Sequence, residues 1–65
     1  MDFLIEIYDN GTKVFIDREL AGDFCEENGD PVFAMQEAQA FIKGVAWATG
    51  ENYFGLDINI ENNTT

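Results

Sequence analysis

Residues 35–49 read Met-Gln-Glu-Ala-Gln-Ala-Phe-Ile-Lys-Gly-Val-Ala-Trp-Ala-Thr, and this stretch decides the fold. Ala38, Phe41, Ile42, Val45 and Ala48 fall at i, i+3, i+4, i+7 and i+10, which places them on one stripe of a helix. The Ala, Gln, Glu and Met around them lose little side-chain freedom in a helix. Gly44 costs about 1 kcal/mol relative to Ala, and its missing side chain would let the helix lie close to a sheet. Gly50 supplies the stop, because glycine accepts the left-handed conformation that follows a helix end. A helix with a single apolar stripe needs one surface to cover it, so the flanking segments should supply a sheet.

Downstream, residues 53–60 alternate. Phe54, Leu56, Ile58 and Ile60 would point one way, and Tyr53, Gly55, Asp57, Asn59 and then Glu61 the other, as in a half-buried strand. Upstream, Phe3-Leu4-Ile5-Glu6-Ile7-Tyr8 and Lys13-Val14-Phe15-Ile16 flank Asn10-Gly11, a pair that takes the positive φ angles of a type I′ hairpin turn. With Asn10-Gly11 as the loop, Ile7 lies opposite Val14 and Ile5 opposite Ile16. A second Asn-Gly, Asn28-Gly29, suggests a short hairpin over 23–33 with Cys25 opposite Val32 and Phe24 opposite Phe33. The rival reading has Asp30 capping a helix with Pro31 at its first position.

The expected fold is therefore α+β: a small antiparallel sheet (hairpin 3–16, a short hairpin 23–33, a C-terminal strand 53–60) with one helix, about 35–49, packed on one face. Residues 1–61 form a single acidic domain and 62–65 a frayed tail. The helix should cover Phe3, Ile5, Ile7, Val14, Ile16, Phe54, Leu56, Ile58 and Ile60. The opposite face should carry Glu6, Asp17, Asp57 and Glu61, interleaved with Tyr8, Phe15 and Tyr53.

Sixty-five residues suffice for one domain and not for two. With 46% hydrophobic and 14% aromatic residues, the chain can bury a core and is not a disordered acidic segment. A core of this size supplies roughly 3–5 kcal/mol, which leaves a homodimer open as added support. Thirteen acids face three cations, Lys13, Arg18 and Lys43, for a net charge of -10. Solubility of a small domain asks for a charge of only about 2–8, so the excess calls for a basic partner or a salt-rich habitat. Free nucleic acid and anionic membranes are disfavoured as direct partners, since both are negative. One cysteine gives no internal disulfide and fits a reducing cytoplasm. The N-terminus has no signal-peptide pattern, and no apolar run approaches the roughly 20 residues of a membrane span.

Catalytic chemistry finds no support in the residues. The chain contains no histidine and no serine, which removes Ser–His and Cys–His nucleophile systems. Cys25 lies in Asp23-Phe24-Cys25-Glu26-Glu27, where neighbouring carboxylates disfavour the thiolate. One Cys makes no zinc site. Aligning Gly29 with the glycine of a calcium loop puts Phe24 at the first ligand position, where Asp is required. The glycine-containing turns lack the spacing and lysine of a phosphate loop. Asn62-Asn63-Thr64 and Asn63-Thr64-Thr65 match the glycosylation pattern by chance. The protein is expected to be no enzyme and to need no cofactor or metal. Trp47 lies off the helix stripe, either closing the edge of the core or anchoring a partner.

What stands out is the acids. Asp17, Glu19, Asp23, Glu26, Glu27 and Asp30 gather within fourteen residues against Arg18 alone. Asp57 and Glu61, joined by Glu6 from the first hairpin, make a second group. Strand positions two apart are separated by roughly 6.5–7 Å, a coarse match to the charge spacing of a nucleic-acid backbone. Glu6, Asp17, Asp23, Glu26, Glu27, Asp30, Asp57 and Glu61 are the candidate partner-binding residues, and the partner is a basic nucleic-acid-binding protein or complex.

In these acids, its size and its single domain, the chain resembles the DNA-mimic inhibitors of phages and mobile elements, which include anti-CRISPR and anti-restriction proteins. The resemblance spans the whole chain and rests on no shared motif. It implies an inhibitor acting in the cytoplasm of a bacterial host, on a multi-subunit, RNA-guided surveillance complex whose target DNA it blocks. The order of elements also resembles small antitoxins with a strand-strand-strand-helix-strand core, although the glycine- and proline-containing segment after their second strand is not visible here. That resemblance implies an antitoxin-like or regulatory module gripping one protein through apolar anchors such as Trp47, Tyr8 or Phe15. A structural or oligomeric accessory role is the third reading.

Overall fold

The computed structural model describes residues 1–25 and 31–65, with helix side chains described from Phe33 onward. Strands β1 (Phe3–Tyr8), β2 (Gly11–Ile16) and β3 (Glu19–Cys25) precede one helix, α1 (Pro31–Thr49), and strand β4 (Ile58–Asn62) follows it. The four strands form one sheet in the order β3-β2-β1-β4. The α+β class and the single helix lying on one sheet face are as the sequence predicts.

The sheet is mixed rather than antiparallel. β1·β2 and β2·β3 are antiparallel, but β4 runs parallel to β1. The reason is the connection: after β3 on one edge, α1 carries the chain back along the sheet, so β4 enters from the same end as β1. None of this is encoded in strand periodicity, which fixes faces and not neighbours.

The expected short hairpin 23–33 does not form. Phe24 and Cys25 pair instead with Thr12 and Gly11 of β2, and Pro31, Val32 and Phe33 belong to the helix. Proline suits the first helical turn, whose N–H groups have no intrahelical acceptor. The proposed cap, Asp30, and the turn Asn28-Gly29 lie outside the described residues. β3 carries an irregularity: Val14 faces Gly22 while Phe15 faces Leu20, so Ala21 is the extra residue of a bulge.

The first hairpin keeps its predicted faces but slips by two positions. Ile5 faces Val14 and Phe3 faces Ile16, with Asp9-Asn10 as the loop between Tyr8 and Gly11. Side-chain period is two, so a two-residue slip leaves every residue on its side. Neither Asp9 nor Asn10 has a positive φ, so Gly11 serves another purpose. A Cβ at Gly11 would run into the carbonyl oxygen of Phe24 and come within 2.8 Å of Cys25 Cα. The glycine admits the backbone of β3, not a turn.

The type I′ geometry appears instead at Asp17-Arg18, the two-residue loop between Ile16 and Glu19. Both have positive φ, 50° and 72°. Asp17 tolerates this, and its side chain accepts from Asp2 N–H at 2.7 Å while its own N–H donates to Asp2 O at 2.9 Å.

Phe3, Ile5 and Val14 from the sheet meet Ala38 and Ile42 in the core, with Ile7, Ile16, Phe24, Phe41, Val45, Leu56 and Ile58 around them. Phe24 and Phe41 pack edge to face, with centroids 5.7 Å apart. The helix buries Ala34, Ala38, Ile42 and Ala46, a row at intervals of four; Ala48 is exposed. Close approach to the sheet comes from these alanines and not from Gly44, which faces open solvent with nothing within 4 Å of a Cβ there. The helix ends as expected. Gly50 has φ +77, its N–H donates to Trp47 O at 3.3 Å, and Glu51 N–H donates to Ala46 O at 2.8 Å, the paired bonds of a Schellman motif. Thr12 is the buried exception to an apolar core: its Oγ1 has no hydrogen-bond partner among the described residues.

The predicted strand 53–60 is shorter and later. Tyr53–Gly55 form a single 3-10 turn, capped by the Asn52 side chain, which accepts from Phe54 N–H at 3.1 Å. β4 then covers Ile58–Asn62. The last residues are bonded to the first hairpin: Asn63 N–H donates to Ile7 O at 2.7 Å, and Thr65 N–H donates to Asp9 Oδ1 at 3.0 Å while its hydroxyl donates to Asp9 Oδ2. These two bonds hold the Asp9 carboxyl below the usual carboxylate range. Among the described residues, no helix is long and apolar enough to cross a membrane.

Candidate partner-binding surface

Strand register assembles the open face of the sheet row by row. Asn59, Leu4, Phe15 and Leu20 lie side by side across β4, β1, β2 and β3; the next row is Glu61, Glu6, Lys13 and Asp23. Adjacent strands stand roughly 4.8 Å apart, so the carboxylates of Glu61 and Glu6 are close neighbours and Asp23 is two strands further on. Lys13 sits between them, and the row is acidic but not uniformly so.

The centre of this row is held in place. Tyr8 OH donates to Glu6 Oε1 at 2.6 Å, and Lys13 Nζ lies 5.6 Å from the centroid of the Tyr8 ring. The bond to the Glu6 carboxylate, with some burial and the negative charges of Glu6 and Glu61, raises the Tyr8 pKa above its ordinary value. Tyr8 therefore stays a hydrogen-bond donor, and Glu6 keeps a fixed orientation.

The eight predicted site residues divide. Glu6, Asp23 and Glu61 share the open face in one row. Asp17 sits at its end, in the β2–β3 turn, tied to Asp2. Asp57 precedes β4 and is exposed. Glu26, Glu27 and Asp30 lie outside the described residues. Tyr8 and Phe15 are on the open face as expected, but Tyr53 is not: it packs against the core from the 3-10 turn, and Lys43 Nζ lies 5.1 Å from its ring centroid.

An open groove of about 450 Å³ runs over this face, floored by Leu4 and Phe15 and edged by Asp2, Glu6, Arg18 and Asn59. The left-handed turn places Arg18 there. Two of the three cations of the chain, Lys13 and Arg18, thus fall on the side that also carries the acidic row.

A second surface was half visible in the sequence. Trp47 is 86% exposed and Phe54 90% exposed, far from covered by the helix as Phe54 was expected to be. They flank a groove of about 330 Å³ between the end of α1 and the 3-10 turn, with Lys43, Ala46, Glu51, Asn52 and Tyr53. The Tyr53 and Phe54 rings meet edge to face at 5.5 Å. Asn52 and Gly55, both turn formers, bracket Tyr53 and Phe54 and were the signal that this part of the alternating pattern is not strand. Trp47 does not close the core; its exposure fits the anchor reading.

Among the described residues, no three His, Cys, Asp or Glu side chains gather as metal ligands would. Compared with family models, curated proteins and solved structures, the chain matches none of them.

Proposed function

We propose that this protein is an acidic inhibitor of the anti-CRISPR type, which mimics the charge of DNA, occupies the positively charged DNA-binding surface of an RNA-guided surveillance complex and excludes target DNA. It acts without catalysis or cofactor, in the cytoplasm of a bacterial host cell. One observation carries this reading: a net charge of -10 on 65 residues, with every described acid except half-buried Glu6 exposed. A groove built to hold DNA through Lys and Arg attracts such a surface and gains free energy from released counterions on the same terms as with DNA. Reversing Glu26, Glu27 and Asp30 to Lys, and separately Asp23 and Glu61 to Lys, apportions the contact between the acidic segment and the sheet face. Loss of inhibition with circular dichroism unchanged is the expected result for at least one set. Full inhibition by both variants rules out these acids as the contact.

A second reading is favoured by a different observation. The element order is strand-strand-strand-helix-strand, as in the small antitoxins, and Trp47 and Phe54 stand exposed. In this reading the chain is a regulatory module that seats these rings in an apolar pocket of one specific protein. Salt separates the two: the first contact weakens as salt rises, and the second does not.

A further inference from the structure

The two edges of the sheet are finished differently. β3 is bent by the bulge at Ala21, carries Glu19 and Asp23, and is covered on its inner face by α1. Such devices discourage another strand from adding. β4 carries Glu61 but has no bulge. It is regular over Ile58–Asn62, and while Ile58 packs against the core, Ile60, on the helix side opposite Ile5, is 57% exposed. Among the described residues nothing pairs with its outer side.

The direction of its backbone groups follows from one bond. Asn63 N–H points to Ile7 O of β1. Alternate residues of a strand turn their N–H and C=O to the same side, so Asn59 and Glu61 also face β1 while Ile58, Ile60 and Asn62 turn theirs to the open edge. We propose that β4 is a self-association edge, at which a second copy of this chain adds its own β4 antiparallel about a two-fold axis at Ile60.

Strand length and charge together select that register. Centred on Ile60, all five residues of each strand pair: Ile60 with Ile60 of the second copy, Glu61 with its Asn59, and Asn62 with its Ile58. Every carboxylate faces an amide, and the outward N–H and C=O groups of Ile60 meet their equivalents. Centring on Asn59 sets Asp57 against Glu61, and centring on Glu61 sets that residue against itself; like charges directly opposite are destabilising. The result is one continuous eight-stranded sheet with the exposed isoleucines joined at the seam. Because each copy carries -10, association strengthens as salt rises. The proposed inhibitory contact has the opposite dependence, so either can fail without the other.

Sedimentation of the purified chain at low and high salt, over a range of concentrations, tests this directly. The expected result is a monomer–dimer equilibrium shifted to dimer by salt. Asn59→Lys, which brings a cation opposite Glu61 twice per dimer, should tighten it several-fold, and Ile60→Glu should abolish it. In a Cys25→Ser background, Ile60→Cys should give a disulfide-linked dimer with oxidised glutathione, while Asn62→Cys, whose two copies lie four residues apart across the axis, should not. A chain that stays monomeric at millimolar concentration in high salt overturns the proposal, as does cross-linking of Asn62→Cys as readily as Ile60→Cys.

Discussion

The open face of the sheet and the aromatic corner at the end of α1 are both surfaces on which a partner could dock, and they are built from opposite materials. At its centre the sheet face sets Leu4 and Phe15 low and half-buried, leaves Leu20 exposed at the β3 edge, and raises charges around them. The corner does the reverse: Trp47 and Phe54 stand out from the surface, and the charges beside them, Lys43 and Glu51, are one of each sign. A contact made through the first gains from Coulomb attraction and counterion release and decays with salt. A contact made through the second gains from burying ring surface and is indifferent to salt. A protein whose charge is so one-sided thus keeps one nearly neutral corner.

The largest effect should follow from breaking the charged side of this contrast. Asp23→Lys with Glu61→Lys, added to Glu26→Lys and Glu27→Lys, should weaken binding to the basic partner by about 100-fold or more at low salt. Titration calorimetry at two salt concentrations should show the difference from the unaltered chain narrowing as salt rises.

Breaking the other side should do less. Both rings are nearly free of contacts with the core, so Trp47→Ala with Phe54→Ala should leave thermal stability within about 0.5 kcal/mol. In the acidic-inhibitor account, partner affinity should fall by no more than about tenfold, or 1.4 kcal/mol. A salt-independent loss of about 2 kcal/mol or more would mark the corner as the hot spot and favour the antitoxin-like reading.

Gly44→Ala touches neither surface. The helix gains a residue of higher propensity in open space, which should stabilise the fold by about 0.5–1 kcal/mol in a thermal melt with partner affinity unchanged. The smallest effect is a titration. The bond to the Glu6 carboxylate raises the Tyr8 pKa, so this interaction is present around neutral pH, below the ordinary tyrosine value of about 10, and is lost as pH rises through the higher folded value. Ultraviolet titration of the wild type should show one tyrosine ionising late, and Glu6→Gln should bring it earlier.

The parts of this architecture that depend on local chemistry were legible in the sequence. The helix and its glycine stop follow from period and conformation, and the inward set Phe3, Ile5, Val14 and Ile16 survives the register slip. What escaped depends on partners distant in sequence. β3, Glu-Leu-Ala-Gly-Asp-Phe-Cys, has few β-formers and joins the sheet because β2 offers it an edge and Gly11 admits its backbone. Its turn is missed because Asp17-Arg18 takes a conformation usually announced by Asn-Gly. The parallel direction of β4 is set by the path of α1. For the site, exposure of the acids was readable from charge alone, whereas the row that unites Glu61, Glu6 and Asp23 around Lys13 required the register of all four strands.

In the proposed function, exposed negative charge blocks a DNA-binding surface. The most direct test is target-DNA binding by a multi-subunit RNA-guided surveillance complex, measured with and without this protein at low and high salt. The account predicts that DNA binding is inhibited and that more protein is needed for the same inhibition at high salt. Unchanged DNA binding at both salt concentrations would contradict it.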